Sequence, residues 1–490
     1  MASFIKIPAL RTVEAFRNRL RELNLGLPCE DSIQTAPRSP LAQPVETLRI
    51  NGKRIGNRWA VHPMEGWDGT PEGGAAETVF RRWKRFGRSG AKLIFGCEAM
   101  AVRFDGRANP RQLVIVERNK KDLAELLRAL VAEHKERFGS ADDLVVGFQL
   151  THSGRFSRPE GRPAPRIAWR HPILDRRTGV DSDAPILKDE EMDALIEDYV
   201  RAARIARDVG ADFVDIKHCH GYLLHEFLGA RLRPGKYGGS FENRTRPLRQ
   251  IVEAIRADGN PIDLAVRLSA FDMVPFRPDP ARSRPGKPGP GAPEDFSQAL
   301  PYLCGFGVNA QDPTQPDLTE PRRFVELCAR LGVKLLNLSA GSPYYNPHIQ
   351  RPAAYPPSDG YEPPHDPLID VARQIHAVRD LKAAAPPGLV FIGTAYTYLQ
   401  EYLPHVAQAV IRNGWTDMIG VGRMALSYPE LIADALEKGE LDRRRICRTI
   451  SDCTTAPRNG LISGCYPLDP YYKELPEGQT LRALKSKTSS

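Results

Sequence analysis

"DFVDIKHCHGYLLHEFL" (residues 212–228) joins a short apolar strand pattern to a dense group of ligand-type side chains. Alternation along a strand sends Val214 and Ile216 to one face and Lys217 to the other. Three of the chain's 11 histidines follow at once: His218, His220 and His225. By itself the segment fits a metal-binding site, a catalytic centre or a crowded structural turn.

Seven further segments of this kind lie along the chain. The full set is "RWAVHP" (58–63), "AKLIFG" (91–96), "DLVVGFQL" (143–150), "DFVDIK" (212–217), "DLAVRLS" (263–269), "VKLLNLS" (333–339), "GLVFIG" (388–393) and "TDMIGVG" (416–422). Helical patterns separate them, most clearly at 187–210, 245–259 and 398–414. Eight strands alternating with helices predict an α/β fold, a (β/α)8 TIM barrel with functional residues at the C-terminal ends of the strands. A doubly wound open sheet is the alternative, although no G-x-G-x-x-G follows the first strand.

Three regions fall outside the alternation. Residues 1–50 form an N-terminal extension to the predicted barrel of residues 51–434, and residues 435–490 form a C-terminal tail. Residues 274–321, after the fifth strand, are too rich in proline and glycine for a regular element. This insertion follows a strand at the functional end of the barrel, so it is either a lid or a mobile surface loop.

Composition excludes several classes of protein. The chain is 41% hydrophobic and 26% charged, which is typical of a globular protein with a large core. No apolar run reaches the ~20 residues that span a bilayer, and the start lacks the apolar core of a secretory signal. The net charge of +9 is spread along the chain rather than clustered, which argues against nucleic-acid binding. Eight irregularly spaced cysteines favour reduced thiols and a cytoplasmic location.

A family resemblance enters at the histidine cluster. "HGYLLHEFL…YGGSFENRTR" resembles the signature of the old yellow enzyme, or NADH:flavin oxidoreductase, family. Further matching strings occur in order along the predicted barrel: "HPMEG" (62–66), "CEAMAV" (97–102), "GFQLTHSGR" (147–155), "VRLSA" (266–270), "NLSAG" (337–341) and "VGRMAL" (421–426). The resemblance covers roughly residues 45 to 435. It implies an FMN-binding (β/α)8 barrel.

The resemblance implies a task for residues near the flavin ring. Pro63 and Met64 would place backbone against the flavin, and Ala99 would lie beside the ring. Gln149 carries both donors and an acceptor, which suits the pyrimidine edge. Arg267 would hold a fixed positive charge near N1 and O2 and so stabilise anionic reduced flavin.

The last two strands are expected to bind the FMN phosphate. Barrels commonly bind phosphate there through backbone N–H groups. The residues that fall after these strands are Gly393, Thr394, Gly422 and Arg423. The resemblance also implies NADH or NADPH as the reductant, without a choice between them.

Catalysis is expected at the end of the fourth strand. The resemblance makes Tyr222 the acid that protonates substrate, and a phenol with a pKa near ~10 is protonated at neutral pH. His220 would hold the substrate carbonyl, together with the residue three positions earlier. That residue is Lys217 here, where the family usually has histidine, and an ammonium would suit an anionic substrate or contact the flavin. His220 reaches the lumen only if the chain leaves the strand, which Gly221 permits.

Glu65 is a second departure from the family pattern. It follows "HPM", where the family usually has threonine or cysteine. A carboxylate beside the ring disfavours anionic reduced flavin unless it is protonated or paired, for instance with Lys217. A solvated Glu65 that turns away is the simpler reading. Glu65 and Lys217 leave room for an unusual substrate, a dehydrogenation or a redox-neutral isomerisation.

The tail contains Cys447, Cys453 and Cys465. Larger relatives, resembling 2,4-dienoyl-CoA reductase and trimethylamine dehydrogenase, hold a [4Fe–4S] cluster there with four cysteines. Ile450 stands at one of the four positions, and a cubane normally needs four thiolates. We therefore expect a vestigial site with free thiols in preference to a three-ligand cluster or a zinc site, and no second nucleotide domain of the kind that those relatives carry.

The leading hypothesis is an FMN-dependent, NAD(P)H-driven reductase of an activated C=C bond in a small molecule. A flavin dehydrogenase, oxidase or isomerase on the same barrel is the alternative. Outside this class stand a metal-dependent hydrolase that uses the histidines and a non-enzymatic flavin-binding protein. We assign no metal site, and self-association is a weaker expectation.

Overall fold

The structure is a computed structural model that describes residues 4–489, the last three of them by backbone alone. In chain order the strands are β1 (Val45–Ile50), β2 (Lys53–Ile55), β3 (Trp59–Val61), β4 (Leu93–Ile94), β5 (Ala99–Ala101), β6 (Val145–Thr151), β7 (Phe213–Ile216), β8 (Asp263–Ser269), β9 (Phe276–Pro278), β10 (Gly291–Pro293), β11 (Leu335–Ser339), β12 (Val390–Gly393) and β13 (Met418–Val421).

Eight parallel strands close into a barrel. Strand β3 pairs with β4, and pairing continues through β6, β7, β8, β11 and β12 to β13, which returns to β3. Strand β5 runs on beyond β4 and pairs with β6 through Ala99 and Gln149. Each of the eight predicted segments contains one barrel strand, so the predicted (β/α)8 fold is confirmed.

The helices run between and beyond the strands. They are α1 (Val13–Glu22), α2 (Glu77–Gly87), α3 (Lys120–Phe138), α4 (Leu174–Thr178), α5 (Asp189–Val209), α6 (Leu223–Leu228), α7 (Phe241–Arg244), α8 (Arg246–Ala257), α9 (Thr319–Arg330), α10 (Pro347–Gln350), α11 (Leu368–Ala383), α12 (Leu403–Arg412), α13 (Arg423–Ser427), α14 (Leu431–Glu437), α15 (Asp452–Arg458), α16 (Pro470–Glu474) and α17 (Pro476–Ser489). No helix within residues 4–489 is long and apolar enough to cross a membrane.

The helix ends follow from local chemistry. The Glu191 carboxylate accepts from the Lys188 backbone N–H at 2.8 Å, which satisfies a donor at the start of α5. The same helix ends at Gly210, whose φ of 97° is a left-handed conformation that glycine adopts at little cost. The predicted helix at 398–414 is two elements, a 3-10 helix at Tyr396–Tyr402 and then α12, and Gln400 kinks the first of them with non-helical dihedral angles.

The barrel interior is apolar at its N-terminal end. Phe95, Phe213 and Met418 pack there with other inward-facing strand residues. The antiparallel hairpin β1–β2 closes this end, since Val45 and Ile55 belong to the same buried cluster. The hairpin crosses the predicted boundary at residue 50 and joins the extension to the barrel. The opposite end of the barrel is left for polar side chains.

The insertion contains regular structure. Strands β9 and β10 pair antiparallel, with Arg277 opposite Ala292. The expectation that residues 274–321 hold no regular element was therefore wrong for these two short segments. Proline does not prevent the pairing because Pro278 and Pro293 occupy strand ends, where a missing N–H is tolerated.

Candidate active site

A cavity of about 270 Å³ opens at the C-terminal ends of the barrel strands. Twelve of the thirteen predicted site residues line it: Pro63, Met64, Glu65, Ala99, Gln149, Lys217, His220, Tyr222, Arg267, Thr394, Gly422 and Arg423. Gly393 is buried at the end of β12, directly before Thr394, and is not part of the lining. The sequence-derived residues thus lie on or just after seven strands and meet in one place.

The end of β7 delivers three of these side chains. Lys217 lies one residue beyond the strand and lines the cavity, as its alternation with Ile216 predicts. His218 turns outward and packs its ring 5.5 Å from that of Phe324. His220 then returns to the cavity because its φ of 68° breaks the strand's alternation. The chain leaves the strand, as expected, through left-handed backbone conformations at both His220 and Gly221.

His220 is neutral and hydrogen-bonded. Its Nε2 lies 2.9 Å from Ser339 Oγ and 3.3 Å from the Gln350 amide nitrogen. Burial lowers the pKa of His220 well below its usual range, and the positive charges of Arg267 and Lys217 lower it further. A neutral imidazole can donate one hydrogen bond and accept another, which suits it to a carbonyl oxygen.

The three clustered histidines do not converge. The Nδ1 of His218 lies 2.8 Å from the Ile216 carbonyl oxygen, and that of His225 accepts from the Gly221 N–H at 2.9 Å. The rings of His218 and His225 therefore contact groups other than those that contact the His220 ring. Among residues 4–486, whose side chains are described, no group of three or more His, Cys, Asp or Glu is arranged to hold a metal ion.

Tyr222 joins a chain of hydrogen bonds. Its hydroxyl donates to Glu65 Oε2 and lies 2.8 Å from the Tyr344 hydroxyl. Since a phenol has one proton, Tyr344 donates to Tyr222 while Tyr222 donates to Glu65. Burial raises the pKa of Tyr222 well above its usual value, and the Glu65 carboxylate raises it further. Tyr222 is therefore held protonated.

Glu65 faces the cavity rather than solvent. It also accepts from Trp67 Nε1 at 3.1 Å. Burial raises the pKa of its carboxyl, while Lys217 and the Tyr222 hydroxyl oppose the rise. The solvated alternative for Glu65 is excluded by these contacts.

Lys217 lies over the ring of Tyr222. Its Nζ is 3.8 Å from the ring centroid, which is a close cation–π contact. Burial lowers the pKa of Lys217, and Glu65 is among the groups that oppose this. The ammonium has no hydrogen-bond acceptor within the described part of the chain, so its donors are available to a ligand.

A polar network lies below the cavity. Gln149 Nε2 donates to Asp215 Oδ2 at 2.5 Å, and the Arg267 backbone N–H donates to Asp215 Oδ1 at 2.6 Å. Burial raises the pKa of Asp215 to about 6, which these hydrogen bonds oppose. Arg267 donates from Nη1 to the Pro63 carbonyl at 3.2 Å, whereas its buried Nε has no partner among the described residues.

Three guanidinium groups lie near the ends of β12 and β13. Arg423 donates to the Pro352 carbonyl at 2.8 Å, and Arg351 donates to Thr454 Oγ1. Within residues 4–486, Arg423 Nη1 and Arg351 Nε and Nη2 are buried without partners. Burial lowers the pKa of Arg351 to about 9, and Arg458 and Arg423 add to the effect by repulsion.

The residues present fit FMN. Unpartnered guanidinium edges and the exposed edge of Gly422 meet the needs of a phosphate. Gln149 and Arg267 line the same cavity and offer the donors and the positive charge that suit a flavin ring. A cavity with cationic groups that lack counter-ions is adapted to an anionic ligand.

Gly420 and His62 show how tightly the cavity floor is packed. A Cβ at Gly420 would lie 2.0 Å from His62 Cε1, so only glycine fits there. Nδ1 of the same ring lies 3.0 Å from the Asn337 amide nitrogen, which fixes its orientation. Gly422, two residues on, has nothing within 4 Å of a Cβ.

Sequence reasoning missed two parts of the site. One is the segment after β11, which supplies Tyr344, Gln350 and Arg351. The other is the C-terminal tail, from which Arg458 and Tyr472 reach the cavity. "SPYYNP" (342–347) begins three residues after β11 ends and is the one available signal, because loops after barrel strands carry function.

The tail cysteines lie close together. The thiol of Cys447 is buried, which raises its pKa, and Cys453 raises it further by proximity. Burial also raises the pKa of Cys465, with a contribution from both other thiols. All three are free cysteines, and Cys453 lines the cavity.

Comparisons with known proteins agree with this geometry. A family model described as NADH:flavin oxidoreductase / NADH oxidase family matches residues 43–279. An NADPH dehydrogenase from Geobacillus sp. (strain WCH70) is 32% identical over 237 residues, which cover 46% of this chain and 63% of the relative. Residues 43–279 of the chain are thus similar to the NADH:flavin oxidoreductase family.

Solved structures share the fold of this chain. The old yellow enzyme homologue from Zymomonas mobilis is 21% identical with a TM-score of 0.52, and the match covers 82% of this chain and 94% of that one. A 2-naphthoyl-CoA reductase in complex with 2-naphthoyl-CoA is 18% identical with a TM-score of 0.63, covering 88% of this chain and 57% of that one. The chain thus spans less than two thirds of the Geobacillus relative and of this larger neighbour.

Proposed function

We propose that the chain is an FMN-dependent oxidoreductase in which NADH or NADPH drives reduction of an activated C=C bond. One observation carries the proposal. A protonated phenol, Tyr222, and a neutral imidazole, His220, line the same cavity as the unpartnered guanidinium edges that fit FMN. The family model that matches residues 43–279 and the NADPH dehydrogenase relative support it.

Two sets of residues would hold the cofactor. Gln149 and Arg267 would contact the ring, beside Pro63 and Ala99. Thr394, Gly422, Arg423 and Arg351 would bind the phosphate. When bound in its reduced form, the flavin supplies a hydride to the β-carbon of the alkene.

Tyr222 would protonate the α-carbon. Hydride addition leaves negative charge on the substrate, and transfer of the phenolic proton to the α-carbon completes the reduction. Once Tyr222 has lost its proton, a protonated Glu65 would return one along the hydrogen bond that joins the two groups, since burial raises the pKa of the Glu65 carboxyl. In that state Glu65 would act as a proton reserve behind the acid.

His220 and Lys217 would hold the substrate carbonyl. Negative charge develops on this oxygen as the hydride arrives, and preorganised donors stabilise it. Ser339 and Gln350 fix the His220 ring by hydrogen bonds. Lys217 adds a positive charge whose donors are otherwise unused, which favours a substrate with an anionic or strongly polarised acceptor group.

The second candidate is a flavin-dependent dehydrogenase, oxidase or redox-neutral isomerase. The contact that favours it is the Tyr222–Glu65 hydrogen bond, since an ionised Glu65 could accept a proton through Tyr222 as readily as a protonated Glu65 supplies one. Such chemistry removes a proton from the substrate instead of adding one.

The two candidates are separated by following the flavin spectrum. We expect the purified protein to bind FMN, to be bleached by NADH or NADPH, and to be reoxidised without oxygen by an enone such as 2-cyclohexenone. Exposed Tyr355 offers a control, because Tyr355→Phe should leave both half-reactions unchanged. Failure to take up FMN would refute the proposal, and bleaching by an alkane or alcohol substrate would favour the second candidate.

A further inference from the structure

A second cavity of about 410 Å³ lies beside the active site. The insertion forms one wall through Phe276, Arg277 and Glu294. Pro343, Tyr344 and Arg458 line both cavities and form the partition between them. The insertion therefore builds a neighbouring space instead of covering the first one, since none of its residues contributes to the lining of the catalytic cavity.

The second cavity carries excess positive charge. Five arginines line it against two carboxylates, Glu294 and Asp359, although one of the five, Arg155, is also paired with Asp175 and Glu226. The Glu294 carboxylate is shared, because Arg177 contacts it at 2.5 Å and Arg277 at 3.3 Å. Arg158 is exposed and has no ion pair within residues 4–486. An anion entering here would find at least Arg158 and Arg277 incompletely neutralised.

Flat aromatic surfaces accompany these charges. Phe156 stacks on Tyr344 with ring centroids 4.0 Å apart and an interplanar angle of 10°. Tyr361 also lines the cavity, with its ring 6.3 Å from that of Phe276. Cationic groups bind phosphate oxygens, and aromatic faces stack on heterocyclic bases. The combination suits a phosphorylated nucleotide better than a simple carboxylate.

The partition connects the second cavity to the proposed catalytic residues. The Tyr344 hydroxyl is hydrogen-bonded to that of Tyr222, and the Arg458 guanidinium lies 5.9 Å from the Tyr344 ring centroid. A ligand whose reacting end lies against Tyr222 would pass over Tyr344 to reach the second cavity. One extended molecule could thus occupy both spaces.

We propose that the second cavity binds the phosphate-bearing adenosine tail of a ligand whose reacting end enters the catalytic cavity. The proposal deepens the proposed function and rests on it for the reacting end. Two ligands carry such a tail: the nicotinamide reductant and a coenzyme A thioester of the alkene. The tail chemistry is the same for both, and the experiment below assigns the source.

The site is tested first by binding alone. Adenosine 2′,5′-bisphosphate and unphosphorylated adenosine are titrated into the FMN-loaded protein by calorimetry. An exposed ion pair contributes up to about fivefold in affinity, so Arg158→Ala with Arg277→Ala should weaken bisphosphate binding about 20-fold. The control carries Arg128→Ala and Arg330→Ala, whose side chains are 73% and 61% exposed on other helices, and should bind normally. Equal affinity for adenosine, or no effect of the double variant, would overturn the proposal.

The source of the tail is assigned by the two half-reactions. If the reductant supplies it, the double variant raises the half-saturating concentration of NADPH or NADH but not that of reduced nicotinamide mononucleotide. If the substrate supplies it, the variant impairs reoxidation by an enoyl-coenzyme A but not by 2-cyclohexenone. Impairment of neither would overturn the proposal while leaving the proposed function intact. Arginine-dependent bisphosphate binding without any flavin reduction would instead refute the proposed function alone.

Discussion

Arg351→Met should stabilise the apoprotein and weaken its affinity for FMN. Arg351 lies among Arg423 and Arg458 with two donor atoms unpartnered in the described part of the chain, and its pKa is lowered to about 9. A fall of the pKa from 12.5 to about 9 corresponds to at most about 5 kcal/mol of unfavourable free energy for the charged side chain. Methionine removes that charge and keeps most of the apolar stem.

The expected magnitudes follow from these contacts. Loss of the hydrogen bond to Thr454 costs about 1 kcal/mol, so the free energy of unfolding of the apoprotein should rise by about 1–3 kcal/mol. Hydrogen bonds to a charged phosphate contribute about 1.5–3 kcal/mol, so the dissociation constant for FMN should rise about 10- to 150-fold. Riboflavin has no phosphate and should bind the variant and the wild type alike.

The assay measures both quantities on the same preparation. Urea unfolding of the apoprotein, followed by circular dichroism, gives the stability, and quenching of flavin fluorescence gives the affinities for FMN and riboflavin. Arg128→Met, on the exposed face of α3, is the control and should change none of them by more than about 0.5 kcal/mol. A less stable apoprotein with unchanged FMN affinity would refute the reasoning. Equal weakening of FMN and riboflavin would show that Arg351 does not act on the phosphate.

Three other predictions concern the acid, the buried network and the cavity floor. Tyr222→Phe should slow flavin reoxidation by an enone about 10²- to 10⁴-fold, while the rate of bleaching by NADPH, measured by stopped flow, stays within about twofold. Asp215 holds its proton more tightly in the folded state, with a pKa of about 6 against an ordinary 3.8, so folding stability falls as pH rises from about 4 to 6. Asp215→Asn should remove about 3 kcal/mol of that fall, which urea unfolding at about pH 4 and pH 6 measures. The prediction is contradicted if the free energy of unfolding changes between the two pH values by the same amount in the variant and the wild type. Gly420→Ala should destabilise the protein by about 2–4 kcal/mol because the His62 ring must move, whereas Gly422→Ala should change stability by less than about 1 kcal/mol; equal unfolding midpoints would be the contrary result.

The barrel could be read from the sequence because its strands repeat a pattern. Each apolar segment is short and is followed by a turn and a helix, and parallel strands buried on both faces need such runs. The placement of Lys217 followed from the same alternation. The placement of His220 could not be derived from alternation alone, because its return to the cavity depends on a left-handed backbone conformation at a non-glycine residue. The pattern of side chains does not encode that angle.

The neighbours of each site residue could not be read from the sequence. Glu65 and Tyr222 are 157 positions apart and meet only because β3 and β7 end on the same face of the barrel. Tyr344 lies in a turn and Arg458 ends the seven-residue helix α15, and neither segment is long enough to show a periodicity. The expectation that the tail holds no [4Fe–4S] cluster rested on one missing cysteine and stays a prediction. Self-association and a cytoplasmic location also stay predictions.

The contribution of the tail bears on how this barrel can be shortened. Ser463 accepts a hydrogen bond from the Trp67 N–H at 3.0 Å, and Arg81 binds Asp469 through two hydrogen bonds of 2.8 and 2.9 Å. A protein cut after the last barrel helix would keep every strand and still lose one wall of the catalytic cavity. The barrel strands alone therefore do not complete the cavity, which takes part of its lining from the tail.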